Sequence, residues 1–230
     1  MRKYLLHILI ISFVFLLTPS GCNISRFNLK IDKLQSEVRK NPDDAEAHFA
    51  LGYAYGKSGK WKEAIESWKQ AIRIDPDNVD AHYNLGLAYY ETGMHKEAIE
   101  SYEQAIRIDP DDADAHYNLG LAYGRSGKYK EAIESYEQAI RIDPDDADAH
   151  FFLGLAYGRS GKYKEAIESF KQTIEIGPDD ADAHFSLGLA SLALNDRSSA
   201  LEQYKILKNL DPERANKLFG LIGEYQREIE

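Results

Sequence analysis

Residues 113–146 read ADAHYNLGLAYGRSGKYKEAIESYEQAIRIDPDD, and residues 147–180 read ADAHFFLGLAYGRSGKYKEAIESFKQTIEIGPDD. The two stretches agree at 27 of 34 positions, so one is a copy of the other. Their shared turn, DPDDADAH at 109–116 and 143–150, returns as GPDDADAH at 177–184, DPDNVDAH at 75–82 and NPDDAEAH at 41–48. A constant step of 34 residues marks an array of like units that bury their apolar faces only by stacking on one another.

Each unit carries two helical patterns. In 115–127 the apolar positions Leu119, Ala122 and Tyr123 recur at helical spacing. Asp112 is placed to cap that helix, Asp114 adds negative charge at its positive end, and Gly127 suits the left-handed residue that ends it. In 128–142 the stripe is Ala132, Tyr136, Ala139 and Ile140, and Pro144 follows. The small residues Gly120, Ala132 and Ala139 let the two helices approach, while Tyr123 and Tyr136 fill the remaining volume.

The unit resembles the tetratricopeptide repeat family through Leu119, Gly120, Tyr123, Ala132, Tyr136, Ala139 and Pro144. His116 stands where the family has a large aromatic residue, as do His48, His82, His150 and His184. The resemblance implies an all-α fold, a right-handed superhelical solenoid of five repeats at 45–78, 79–112, 113–146, 147–180 and 181–214. Residues 23–27 read as a tether and 28–40 as a capping helix, with Ile31, Leu34 and Val38 inward. Residues 215–230 read as a closing helix bearing Leu218, Leu221, Ile222 and Tyr225.

The start of the chain has a different character. Arg2 and Lys3 precede an apolar run at 4–17, then Thr18-Pro19-Ser20-Gly21-Cys22. That is the layout of a secretory signal, and 14 helical residues at ~1.5 Å each are short of the ~30 Å of a bilayer core. Ser20-Gly21-Cys22 resembles the end of a bacterial lipoprotein signal, although Pro19 departs from the family's aliphatic residue. The resemblance implies cleavage before Cys22, lipidation of its thiol, and attachment to the envelope, on the outer membrane where the cell has one.

Composition narrows the chemistry. The chain has 28 basic and 38 acidic residues, a net charge of −10, which becomes −12 once Arg2 and Lys3 leave with the leader. That balance argues against nucleic acid as partner. One cysteine makes no internal disulfide. The carboxylates of 109–114 lack the glycine and glutamate of a calcium loop, and histidines one repeat apart cannot share a zinc ion. No phosphate loop or nucleophile–base pair stands out, so the expectation is a non-enzymatic protein with no cofactor, no metal and no small-molecule substrate.

Protein partners are the remaining class. In the family, the first helix of each repeat lines the concave face. By that pattern the groove presents Phe49, Tyr83, Tyr117, Phe151 and Phe185, beside them Asn84, Asn118 and Phe152, then Tyr53, Leu87, Leu121, Leu155 and Leu189. Tyr90, Lys57, Arg125 and Arg159 complete the lining. Aromatic residues and arginine are favoured at binding hot spots. Asn84 and Asn118 resemble the peptide-gripping asparagines of the repeats in O-linked N-acetylglucosamine transferase. Acidic residues gather in the turns between repeats and basic ones in the turns within them. The function expected is a membrane-anchored adaptor that captures partner segments; the alternatives are a pilotin-like assembly factor or a regulatory subunit of an envelope enzyme.

Overall fold

The computed structural model describes residues 22–227, with side chains described for 29–224. Of the expected leader, 1–22, residues 1–21 lie outside the described residues, as do the side chains of Cys22 and Tyr225. All regular structure among the described residues is α-helical. The chain divides into two compact units, Met1–Pro76 and Asp77–Glu230.

The first unit holds α1 (Cys22–Lys40), α2 (Ala45–Lys57) and α3 (Trp61–Ile74). Residues 23–27, expected as a tether, are part of α1. This helix occupies the register of a repeat's second helix. Ile31, Leu34 and Pro42 precede Ile65, Trp68 and Pro76 by 34 residues. Ile31 and Leu34 are buried, but the places of the repeat's small residues hold Lys30 and Glu37, which are exposed. Small residues there admit a first helix, and α1 follows no described one.

The second unit holds four helix pairs and a closing helix: α4 (Val79–Glu91) with α5 (His95–Ile108), α6 (Ala113–Arg125) with α7 (Tyr129–Ile142), α8 (Ala147–Arg159) with α9 (Tyr163–Ile176), α10 (Ala181–Ala193) with α11 (Arg197–Leu210), then α12 (Pro212–Arg227). Within this unit each helix packs on the one before it, giving a solenoid stack. Chain-local signals set the boundaries. Asn78, Asp112, Asp146 and Asp180 cap the first helices by accepting from backbone N–H groups three residues on. Gly93, Gly127 and Gly161 turn the elbows at φ of 78°, 73° and 74°.

Close approach within each pair rests on one glycine. A Cβ built on Gly86, Gly120 or Gly154 would fall 2.6–2.7 Å from the ring of Tyr102, Tyr136 or Phe170. Gly52 meets Trp68 in the same way in the first unit. Gly188 is covered instead by Leu218 of α12, which is buried with Leu192, Leu207 and Ile222 at the closing end.

The histidines close the turns. Nε2 of His116, His150 and His184 lies 2.9–3.0 Å from the carbonyl oxygens of Pro110, Pro144 and Pro178, and His48 meets Pro42 at 3.0 Å. A carbonyl only accepts, so Nε2 carries the proton. The imidazole thus ties the start of the first helix to the proline turn before it.

Candidate protein-interaction surface

The residues singled out by the sequence pattern lie along the first helices, and three structural effects decide what they offer. The first is aromatic packing. Tyr83, Tyr117, Phe151 and Phe185 are all half-buried. Tyr83 packs on Tyr102 at 5.9 Å between centroids, Tyr117 on Tyr136 at 5.9 Å and Phe151 on Phe170 at 5.8 Å. Phe152 bridges two of these pairs, 5.8 Å from Tyr117 and 5.5 Å from Phe151. Each ring therefore helps hold the stack and offers only one side outward. Burial, then Asp148, pushes the Tyr117 hydroxyl far above the ordinary phenol range, so it stays protonated.

The second effect is internal use of amides. Asn84 Nδ2 donates to the Asp80 carbonyl at 2.7 Å. Asn118 Nδ2 donates to the Asp114 carbonyl at 2.8 Å and to Tyr83 Oη at 3.1 Å. Asn118 thus spends both of its N–H groups on the fold and presents its acceptor oxygen, whereas Asn84 spends one.

The third is uneven cover along the lining. Leu121, expected to line the groove, is 8% exposed and sits in a core cluster against which Phe152 packs. Leu189, at the same register two units on, is 36% exposed, and the next helix offers Gly220 where α8 offers Phe152. Leu87 and Leu155 lie between these extremes. In the first unit Phe49 is half-buried, while Tyr53 is 43% exposed with Lys57 Nζ 5.2 Å from its ring centroid. Arg125 and Arg159 are exposed, and Arg125 Nε donates to Tyr90 Oη at 3.2 Å.

Charge lies along the helix ends. Asp114 and Asp148 are each pushed up by partial burial and then by neighbouring carboxylates, among them Asp146 for the first and Asp180 for the second. Asp182 closes this series with a cation, 2.7 Å from Arg214, which also pairs with Asp211. At the elbows the lysines are partly taken up by the fold. Lys128 and Lys162 sit over the rings of Tyr123 and Tyr157 at 5.6 Å. Those phenols donate at 2.6 Å to Glu103 and Glu137 of the preceding unit. In the first unit Gln35 of α1, in register with those glutamates, donates to Tyr55 Oη at 2.6 Å. This register lock is one the sequence reading missed, although glutamate recurs at 103 and 137.

A cavity of about 470 Å³ lies behind the Tyr123–Glu103 pair, lined by Lys96, Ile99, Glu100, Ser126 and Lys128 as well. None of the expected groove residues borders it. Among the described residues no three His, Cys, Asp or Glu side chains converge as metal ligands. No helix among them is long and apolar enough to cross a membrane.

Comparison with known proteins matches this geometry. Family models described as TPR repeat match residues 57–93 and 89–127. Models described as tetratricopeptide repeat match 117–181, 153–215 and 35–66. No curated protein matches the chain. Among solved structures, one described as MamA protein is 30% identical, with a TM-score of 0.71 over 75% of this chain and 94% of its own. MamA from Desulfovibrio magneticus RS-1 is 22% identical, with a TM-score of 0.70 over 74% of this chain and 96% of its own. YrrB, described as a TPR protein with an unusual peptide-binding site, is 24% identical, with a TM-score of 0.72 over 80% and 96%.

Proposed function

The chain belongs to the tetratricopeptide repeat family, and on that premise we propose that it is a non-catalytic interaction scaffold held at the bacterial envelope, whose first-helix faces take up segments of partner proteins. One observation carries the reading. In each helix pair of the second unit an aromatic residue stands at the same register and stays partly exposed: Tyr83, Tyr117, Phe151 and Phe185. Packing the pairs uses one side of each ring. What remains exposed repeats along the stack with hydrogen-bonding groups between, and at the closing end Lys217 Nζ lies 5.6 Å from the Phe185 ring centroid, an arrangement that suits an extended polypeptide. YrrB, which shares the fold, is described by a peptide-binding site, and that supports the reading.

Anchoring rests on the sequence. The apolar run at 4–17 and Cys22 directly after Ser20-Gly21 support a lipidated cysteine, with acyl chains buried in the membrane by the hydrophobic effect. Residues 23–27 are helical with the rest of α1, so a lipidated Cys22 would be joined to the array by helix and not by a loose tether.

Photo-crosslinking in native membranes tests both parts. A benzophenone amino acid at Tyr53, Arg159 or Leu189 reports on the first-helix faces, and one at Lys171 or Lys205 on second helices. Defined partner adducts from the first group only are the expected result. Equal labelling from both groups overturns the groove assignment. Separately, Cys22→Ser is expected to abolish metabolic palmitate labelling and to move the chain out of the membrane fraction; labelling that persists overturns the anchor.

A further inference from the structure

Charge divides unevenly between the two units. Residues 23–76 include 10 basic and 8 acidic residues, a net +2, whereas residues 77–230 include 16 and 30, a net −14. The basic surplus of the first unit is gathered at one of its ends. The turn at 41–44 sends the chain back on itself, so α1 and α2 run antiparallel and the start of α1 lies beside the end of α2. The 2.6 Å bond from Gln35 to Tyr55 fixes that pairing. At this end stand Lys30 and Lys33 of α1 with Lys57, Lys60 and Lys62 of the elbow between α2 and α3. All five are exposed, and they outnumber the two carboxylates there, Asp32 and Glu63. At the other end three cations meet four carboxylates, Asp43, Asp44, Glu46 and Asp75.

Two features of this end have no counterpart in the later units. Lys30 and Lys33 hold the register of Ala98 and Ser101, both of which are buried. The face of α1 that a first helix would cover in a complete pair is therefore cationic, and the neighbouring Leu29 is 71% exposed. Trp61 opens α3, where the later units have His95, Tyr129, Tyr163 and Arg197. It is partly exposed and stands at the elbow, 3.5 Å from where a Cβ on Gly56 would be, while Trp68 is buried in the pair. Aromatic rings hold two of the lysine stems in place. Lys57 Nζ is 5.2 Å from the Tyr53 ring centroid, and Lys60 Nζ is 6.0 Å from that of Tyr55. Lys33 has Glu37 at 3.7 Å, a solvated pair of little worth.

We infer that this end of the first unit is a docking surface for anionic phospholipid headgroups, those of the bilayer in which an acylated Cys22 would sit. Cys22 begins α1, and Lys30 follows it by eight residues, ~12 Å along the axis, which is about one Debye length at ~0.1 M salt. A basic residue near an anionic surface strengthens binding about fivefold. Lysine keeps its ammonium among the headgroups while its stem covers apolar surface, and tryptophan is favoured at the same depth. Acyl chains and a basic patch act together in holding a protein to a membrane. The second unit, at −14, gains nothing from an anionic surface, so the attraction falls on the first unit alone. This surface rests on the anchored reading above and adds the lipid class that it selects.

The test uses the full chain with Trp68→Phe, which leaves Trp61 as the only tryptophan; phenylalanine already stands at that register as Phe170. The protein is purified from its native host in neutral detergent. It is reconstituted into phosphatidylcholine vesicles, with or without phosphatidylglycerol, that carry a headgroup spin label as quencher. Quenching of Trp61 is expected to be about threefold stronger with phosphatidylglycerol. It should fall to the neutral-vesicle level in ~0.5 M sodium chloride, where the Debye length is ~4 Å. Lys60→Glu with Lys62→Glu should abolish the difference, and acidic residues suit the start of α3, so the fold is kept. Lys69→Glu with Arg73→Glu, the same change of charge further along α3, should leave it as it was. Equal quenching in both vesicles by a chain that floats with the neutral ones overturns the surface and leaves the anchor standing. A chain that floats with neither vesicle overturns both; one that floats only with phosphatidylglycerol overturns the anchor and keeps the surface. If Lys60→Glu with Lys62→Glu lowers the particle mass in detergent and leaves quenching unchanged, the lysines hold the acidic residues of a second copy and the lipid assignment is overturned.

Discussion

Gly120 lies under the ring of Tyr136 so closely that a Cβ on the glycine would stand 2.6 Å from Cε1 of the ring. The ring is buried and wedged against Phe152, so it has little room to withdraw. Gly120→Ala is therefore expected to cost ~1–3 kcal/mol, the usual range for overpacking a core. Gly124, one turn on in α6, has nothing within 4 Å of an added Cβ. Gly124→Ala should raise stability by ~0.5–1 kcal/mol through helix propensity. Urea denaturation of the two variants reads the opposite signs.

Alkaline pH should loosen the lock between units. Burial, then the hydrogen bond to Glu137, pushes the Tyr157 phenol up to about 12 from an ordinary 10.0. A folded value above the unfolded one gives stability that is whole below pH 10 and is lost as pH rises through 12. Tyr157→Phe, which has no phenol to ionise, is expected to lose less melting temperature than the parent across that window. Identical slopes would show that the contact is not held by a protonated phenol.

The carboxylates at the helix ends predict an acid-side effect of the opposite utility. Asp114 and Asp148 both titrate above the ordinary 3.8, so their stabilising form is the protonated one, present below that pH and lost as pH rises through the folded value. At neutral pH the charged pair is a net cost, despite its favourable place at the helix N-termini. Asp114→Asn and Asp148→Asn should each raise stability at pH 7 by a few tenths of a kcal/mol, less in high salt, since the groups are partly solvated. Asp182→Asn should not, because Arg214 already answers that carboxylate at 2.7 Å. Melting curves at low and high ionic strength separate these cases.

The histidine clasp predicts a tautomer. His116 and His150 should appear in nitrogen-detected NMR with the proton on Nε2, since the atoms facing it are the Pro110 and Pro144 carbonyls. His116→Ala should destabilise by ~1 kcal/mol, the typical worth of a hydrogen bond. A proton on Nδ1 would contradict the clasp.

Much of this architecture was readable beforehand, for one reason. A 34-residue period fixes which residues share an environment, so Leu119, Ala132 and Ala139 could be placed in the core from their spacing alone, and the structure buries all three. Period says less about what covers a residue from the next unit. Leu121 and Leu189 share a register yet differ in exposure, because Phe152 follows one and Gly220 the other. Asn118 reads as a groove amide, but its nitrogen faces Tyr83 across the junction, a contact 35 residues long. The helical continuity of 23–27 with 28–40 was also hidden, since no cap or proline marks a boundary there. Sequence spacing shows the rungs; the contacts between rungs need coordinates.

Ile222 bears on how such a chain can grow. It falls 34 residues after Gly188, at the register where each complete pair has bare backbone beneath the ring or chain of its neighbour. It is 3% exposed and spent on sealing α12. A unit joined directly after α12 would find a branched side chain in the seat its partner needs. A unit inserted between Asp146 and Ala147 would meet the surfaces of its own near-copies on both sides. The near-identity of 113–146 and 147–180 thus leaves an interior junction whose two sides are interchangeable, which the sealed face of α12 is not.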